Sequence, residues 1–174
     1  MRHALLAATL ASLACTSAGT PDPANDTAPA AAQPAVEPTP AAAGITRFPE
    51  EVLRTFRYNS GFDERERLVV RDAATWAVAW DKLIGSGRPK AALPAVDFNR
   101  HMVLVASSGT KNTGGYTMLI ERYEGGTAHV LLTSPGRSCG TTAALTNPAD
   151  AVMVPRSSNP VQWADRDSTH ECGP

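Results

Sequence analysis

Residues 96–116, VDFNRHMVLVASSGTKNTGGY, constrain the fold more than any other stretch of this chain. Asp97-Phe98-Asn99 is a turn signal, and Met102-Val103-Leu104-Val105-Ala106 follows as an unbroken apolar run rich in β-branched side chains. A strand with one wet face would alternate polar and apolar residues. A continuous run bounded by polar residues therefore predicts a central strand covered on both faces. After it, residues 107–115 are small and polar, and Tyr116 begins a second run, Thr117-Met118-Leu119-Ile120. Strand, glycine-rich loop and returning strand predict a wide hairpin whose loop is the most distinctive surface of the chain.

Around this centre the expected class is α+β, mainly antiparallel β: one sheet or a barrel-like sandwich with a single amphipathic helix packed on one face. The helix spans 73–84. Trp76, Trp80 and Leu83 recur at helical spacing, Asp72 supplies an N-cap and Gly85 the C′ residue, so the tryptophans read as core anchors against the sheet. Strands are expected over 52–58, 67–71, 102–106, 118–123, 127–132, 141–145 and 151–154. Turns fall at Asn59-Ser60-Gly61, Glu124-Gly125-Gly126 and Asn147-Pro148. In the tail, 159–174, Val161 and Trp163 are the sizeable apolar residues, and Trp163 is expected to pack back on the sheet.

The front of the chain has a different character. Arg2 and His3 precede an apolar run from Ala4 to Ala14, too short to span a bilayer and shaped like a secretory signal. Ser12-Leu13-Ala14-Cys15 resembles a bacterial lipobox, with Leu one place later than usual, so 1–14 reads as a lipoprotein signal and Cys15 as the lipidation site. Ordinary cleavage nearby, leaving Cys15 unmodified, is the alternative. Residues 15–44 are rich in Ala, Pro and Thr and lack the apolar side chains needed to offset ordering entropy. They read as a disordered tether with a reach of about 30 Å as a coil and about 90 Å fully extended. The globular domain is then 45–174, including the C-terminal tail. The expected address is the cell envelope, anchored to membrane through Cys15, and the outer membrane where the envelope is double, since Thr16 follows the cysteine. With Cys15 acylated, Cys139 and Cys172 remain as an even pair in an oxidising compartment, which predicts a disulfide between them. The competing reading makes Cys139 a nucleophile, but Ser138 and Gly140 beside it fit no protease signature.

Chemistry is harder to find. Sixteen Lys and Arg stand against seventeen Asp and Glu, and setting aside Arg2 with Asp22, Asp26 and Glu37 leaves the domain near neutrality, so no nucleic-acid partner is expected. The Gly-rich loop does not run into Lys-Ser/Thr or a helix and does not predict a phosphate cradle. His101, His129 and His170 share no ligand spacing, and His170-Glu171-Cys172 are too close in sequence to converge on a metal. No G-x-S-x-G elbow or carboxylate pair stands out. The expectation is a non-catalytic domain with no metal and no cofactor. Its protein-binding loop would be Thr110, Lys111, Asn112, Thr113, Gly114, Gly115 and Tyr116, the tyrosine packed under the loop and Arg100 with Lys111 at the rim.

Several of these motifs together resemble the PrcB C-terminal domain family over roughly 48–154. They are the Trp-containing helix, Val96-Asp97-Phe98, the strand from Met102, Thr113-Gly114-Gly115-Tyr116, and Pro135 with Asn147-Pro148. The resemblance implies a secreted or lipid-anchored protein that assists the stability or assembly of an envelope protease. The family tends to carry Tyr or Phe beside that last proline, where this chain has Asn147 and Ala149. Asn112-Thr113-Gly114-Gly115-Tyr116 is also similar to the N-P-T-T-G-Y loop of chagasin-type cysteine-protease inhibitors. Gly125-Gly126 then stands for their second glycine loop, and residues 134–140 for a third that lacks its tryptophan. That resemblance implies the opposite effect, blocking a protease active site.

Overall fold

The computed structural model describes residues 40–41, 44–86 and 90–173; the signal expected over 1–14, Cys15 and nearly all of the tether expected over 15–44 lie outside the described residues. Ten elements follow in order: β1 (Pro40–Ala41), β2 (Ile45–Arg47), α1 (Glu50–Leu53), β3 (Arg65–Val70), α2 (Ala73–Ile84), β4 (His101–Ser108), β5 (Thr117–Glu124), β6 (Thr127–Pro135), β7 (Ala149–Pro155) and β8 (Gln162–His170). They make two sheets, one ordered β1-β2-β7-β4-β3 and the other β5-β6-β8. The architecture is mainly antiparallel α+β, and the sheets do not close into a barrel.

The apolar run is explained by its place. β4 lies between β3 and β7, with α2 on one face of the sheet and the second sheet on the other. Val103 and Val105 join the cluster containing Trp76, Trp80, Phe56 and Phe62, whereas Met102, Leu104 and Ala106 join Met118, Ile120, Ala128 and Val130. Every side chain from Met102 to Ala106 is thus buried, and period-two alternation sorts them between two cores. On the helix side, Trp76 stacks on Phe48 at 5.6 Å and Trp80 meets Phe56 edge-on at 5.9 Å. Both indole N–H groups donate to carbonyls in the following loop, Trp76 to Pro94 and Trp80 to Ala91. Asp72 caps α2 by accepting from the Thr75 amide at 2.8 Å, which holds its carboxyl below the ordinary carboxylate range.

Three expectations are corrected, and one strand is an addition to them. Residues 52–58 are not a strand: Pro49 precedes the short helix α1, whose Leu53 is buried, and the turns after it bring Phe56 into the same core as the tryptophans. Residues 141–145 are exposed and form no strand; their backbone makes isolated hydrogen bonds, from Gly114 N–H and Ala144 N–H to Thr142 O, in place of a ladder. The tail carries a nine-residue strand, β8, parallel to β6 from Thr127↔Gln162 to Pro135↔His170. Its polar sequence hides it from any hydrophobic pattern, although Trp163 does pack on the inter-sheet core. Finally, β4 and β5 are not a hairpin. They belong to different sheets, so the glycine-rich loop is a crossover between layers.

That crossover leaves β5 at an edge, paired among the described residues only with β6. Its outward peptide groups at Ile120 are satisfied by side chains from the facing sheet. The Ile120 amide donates to Asp150 Oδ2 at 2.7 Å, the Ile120 carbonyl accepts from Arg47 Nη2 at 2.7 Å, and Arg47 Nη1 reaches Asp150 Oδ2 at 3.1 Å. Asp150 is 3% exposed. Burial pushes its carboxyl above the ordinary range, against the opposing pull of Arg47 and the Ile120 amide. Arg47→Ala strands that carboxylate and is expected to cost about 3–5 kcal/mol in chemical denaturation at neutral pH. Because the native state holds the Asp150 proton more tightly than the unfolded chain, its stabilising contribution is greatest below the unfolded pKa. It falls as pH rises through the folded one. Wild-type stability measured relative to Asp150→Asn is therefore expected to decrease from acid to neutral pH. An increase would mean that Arg47 outweighs burial.

Candidate functional site

The loop after β4 is held by backbone at almost every residue. Ser107, Ser108 and Gly109 are buried. Gly109 has φ +69°, and a Cβ there would sit 2.9 Å from the backbone of Arg65 and Glu64, so only glycine fits. The Thr110 amide and hydroxyl both donate to Asp63 O, at 3.0 and 3.2 Å. Lys111 and Thr146 exchange backbone hydrogen bonds of 2.7 and 3.0 Å, the Thr146 hydroxyl donates to Thr113 O, and Gly114 N–H donates to Thr142 O. Gly115, at φ +86°, lies against Pro135 and Thr141. Tyr116 is half-buried with Lys111 Nζ 5.6 Å from its ring centre, a cation–π arrangement that ties the two ends of the loop together.

The seven residues expected to form the loop therefore do lie together, with Thr110, Asn112 and Gly115 exposed. They lie on a second segment, 141–147, that sequence reasoning had read as strand and turn. Asn147 joins a third: its side chain donates to Phe62 O and Thr110 Oγ1, and its amide donates to Tyr58 O. Tyr58 and Leu145 are among the exposed large hydrophobic residues, Leu145 at 71%. The candidate surface is thus composite, one end of the sandwich built from three chain segments, and its apolar members lie outside the glycine motif. Asn147-Pro148 was the one sequence signal for the partner segment, since Asn in a turn commonly bonds nearby backbone.

Two expected members do not join it. Arg100 precedes β4 and the loop follows it, so eight strand residues, about 26 Å, separate them. The assignment of Arg100 to the rim is overturned. Gly125-Gly126 ends β5, whereas the loop precedes it, again with eight residues between. The glycine turns thus occupy opposite ends of the sandwich and do not form the three-loop edge that a chagasin-type inhibitor presents. Residues 134–140 do approach the loop, through Pro135 against Gly115.

The expected disulfide is present, joining Cys139 to Cys172 across 33 residues with Cα atoms 4.9 Å apart. Around it the chain is zipped. Gly136 N–H donates to His170 O at 2.7 Å, Ser138 Oγ donates to Cys172 O at 2.8 Å, and Cys172 N–H donates back to Ser138 Oγ at 3.1 Å. The bond thereby fixes the end of β8 to the start of the segment that backs the loop. Among the described residues no group of three or more His, Cys, Asp or Glu is gathered as metal ligands.

A small β sandwich with a helix on one side and a rigid composite surface at one end is a module suited to presenting loops. Residues 102–155, from β4 through β7, match the family model described as PrcB C-terminal. The match contains both the 110–116 loop and the 141–147 segment that supports it. No curated protein and no solved structure matches the chain.

Gly109→Ala is expected to lose about 2–4 kcal/mol, through an unfavourable φ and backbone overlap together. Gly125→Ala, with φ +57° but open space around its Cβ, should lose only about 1 kcal/mol. Equal losses in thermal or urea unfolding would remove the packing argument for the loop. Reducing the disulfide should lower stability by roughly 3–4 kcal/mol on the chain-entropy account.

Proposed function

We propose that this chain is a non-catalytic cell-envelope lipoprotein, anchored through Cys15, whose domain binds a protein partner with residues 110–116 and the adjoining Leu145. The partner is an envelope protease, which the domain stabilises or helps to assemble. The observation that carries this reading is the rigidity of the loop. Its backbone is hydrogen-bonded to two other segments while Asn112 and Leu145 face solvent, so docking costs little ordering entropy. The PrcB C-terminal match supports the protease link, since it includes both residues 110–116 and Leu145. The signal-like leader and lipobox-like Ser12-Leu13-Ala14-Cys15 support the address. The separation of the two glycine turns favours assistance over active-site blockade.

The test is capture from solubilised envelope with the full lipidated chain and an Asn112→Arg, Leu145→Glu variant side by side. Both changes are at exposed positions, so the variant should keep its unfolding transition. A protease recovered with the native chain, depleted at least about tenfold with the variant, and longer-lived in the complex is the expected result. A captured protease that loses activity would make the domain an inhibitor. The same proteins on both baits, or none on either, would leave the loop without a partner. In parallel, Cys15→Ser should move the protein from the membrane to the soluble fraction; retention on membrane would remove the lipid anchor.

A further inference from the structure

The Cys139–Cys172 bond joins two segments that apolar packing does not hold. No residue of 136–145 and none of 164–172 belongs to either hydrophobic core. The match to the PrcB C-terminal model ends at 155, so β8 and Cys172 lie beyond it while Cys139 lies within. β8 itself is anchored unevenly. Its first half has Trp163 in the inter-sheet core, Arg67 on Asp165 at 2.7 Å and Arg166 on Glu121 at 3.0 Å. Its second half has the backbone ladder with β6, hydroxyl contacts of Thr133 and Ser134 with Ser168, and the disulfide just past its end.

Residues 136–145 are held more sparsely still. Gly136 N–H donates to His170 O, and Ser138 bonds the Cys172 backbone through one hydroxyl. From 140 to 145, among the described residues, the one backbone tie to another segment is Thr142 O, which accepts from Gly114 N–H at 3.0 Å. Thr142 is thus suspended between the disulfide on one side and the paired Lys111 and Thr146 on the other. Gly115 lies against Thr141 and Pro135, in the same span. Both cysteines are partly exposed, and Ser138, Gly140 and Glu171 beside them are exposed. A dithiol can therefore reach the sulfurs without the fold opening, and access is one of the conditions for thiol–disulfide exchange.

We propose that this bond is a redox latch on the candidate surface. Its reduction by a dithiol loosens 136–145 and the end of β8, and with them the 114–116 half of the loop, while the sandwich stays folded. A thiolate of the reductant attacks one sulfur, the S–S bond breaks, and the departing cysteine thiolate takes a proton. The reductant's second thiol then closes the reductant's own disulfide and releases the other cysteine as a thiol, so two electrons and two protons pass to the protein. The 110–113 half of the loop keeps its order, because Lys111 pairs with Thr146, and Asn147 bonds Thr110 and Phe62, without help from the bond. The first half of β8 stays docked and keeps Cys172 near Cys139, which makes the step reversible. As control of docking this rests on the reading of 110–116 as a partner surface; the change in loop order does not.

Amide hydrogen exchange of the purified full chain, oxidised and then held in excess dithiothreitol, tests the latch. In the oxidised chain Gly114 and Gly136 should be protected at least about a hundredfold. On reduction both should come within about tenfold of unstructured chain, while Lys111 and the amides of β4 remain protected. An oxidising glutathione buffer should restore the first pattern. A Cys139→Ser, Cys172→Ser chain should match the reduced pattern in either buffer. Three results would overturn the proposal: unchanged exchange at Gly114, acceleration of all protected amides by one common factor, or loss of the cooperative thermal transition on reduction. The last two would make the bond a staple of the whole fold. A chain that loosens in this way but captures no protease would count against the docking reading alone.

Discussion

The structure depends on one buried interaction, the contact of Arg47 and Asp150 with the two peptide groups of Ile120. Apolar packing between two sheets is nearly indifferent to small slides, since one aliphatic contact replaces another. A carboxylate and a guanidinium bonded to a single peptide are not indifferent. They hold β5 in one position over β7, and they satisfy the N–H and C=O that an edge strand would otherwise bury unpaired. The aspartate bears a desolvation penalty for this, visible in the upward push on its carboxyl. A buried ion pair is a weak source of net stability, and its use here is to fix geometry.

Fixing β5 also fixes what precedes it. The 110–116 loop leaves the five-stranded sheet at Ser108 and enters the three-stranded sheet at Thr117, so its two ends are clamped to different layers. A hairpin loop would move with one ribbon; a crossover between layers cannot. The disulfide sets the other boundary, pinning the start of the supporting segment to the end of β8. Between these anchors the loop is hydrogen-bonded to residues 142 and 146. Its glycines serve close approach at Gly109 and Gly115, and the side chains free to meet a partner are few.

Much of the core was legible locally. The unbroken run in β4, the Trp76/Trp80 spacing and the Asp72 cap are patterns of neighbouring residues, and neighbouring residues decide which faces are apolar and where a helix begins. The candidate loop was legible as a set of seven residues because its glycines and tyrosine are adjacent in sequence. Its surroundings were not. Leu145 and Tyr58 look ordinary in sequence and matter only because Asn147 brings their segments to Thr110. Arg100 looked close to the loop because it is close in sequence, and an extended strand carries it to the far end.

The sequence by itself determined that a doubly covered strand lies at the centre and that one amphipathic helix covers it, and its cysteine count pointed to the Cys139–Cys172 pair. Each follows from composition or short-range spacing. Tertiary structure alone decided that β5 changes sheets, that a polar tail becomes the parallel strand β8, and that a buried aspartate joins the layers. Those outcomes rest on backbone groups finding partners far along the chain. Every residue carries the same N–H and C=O, so no side-chain pattern announces which of them will meet.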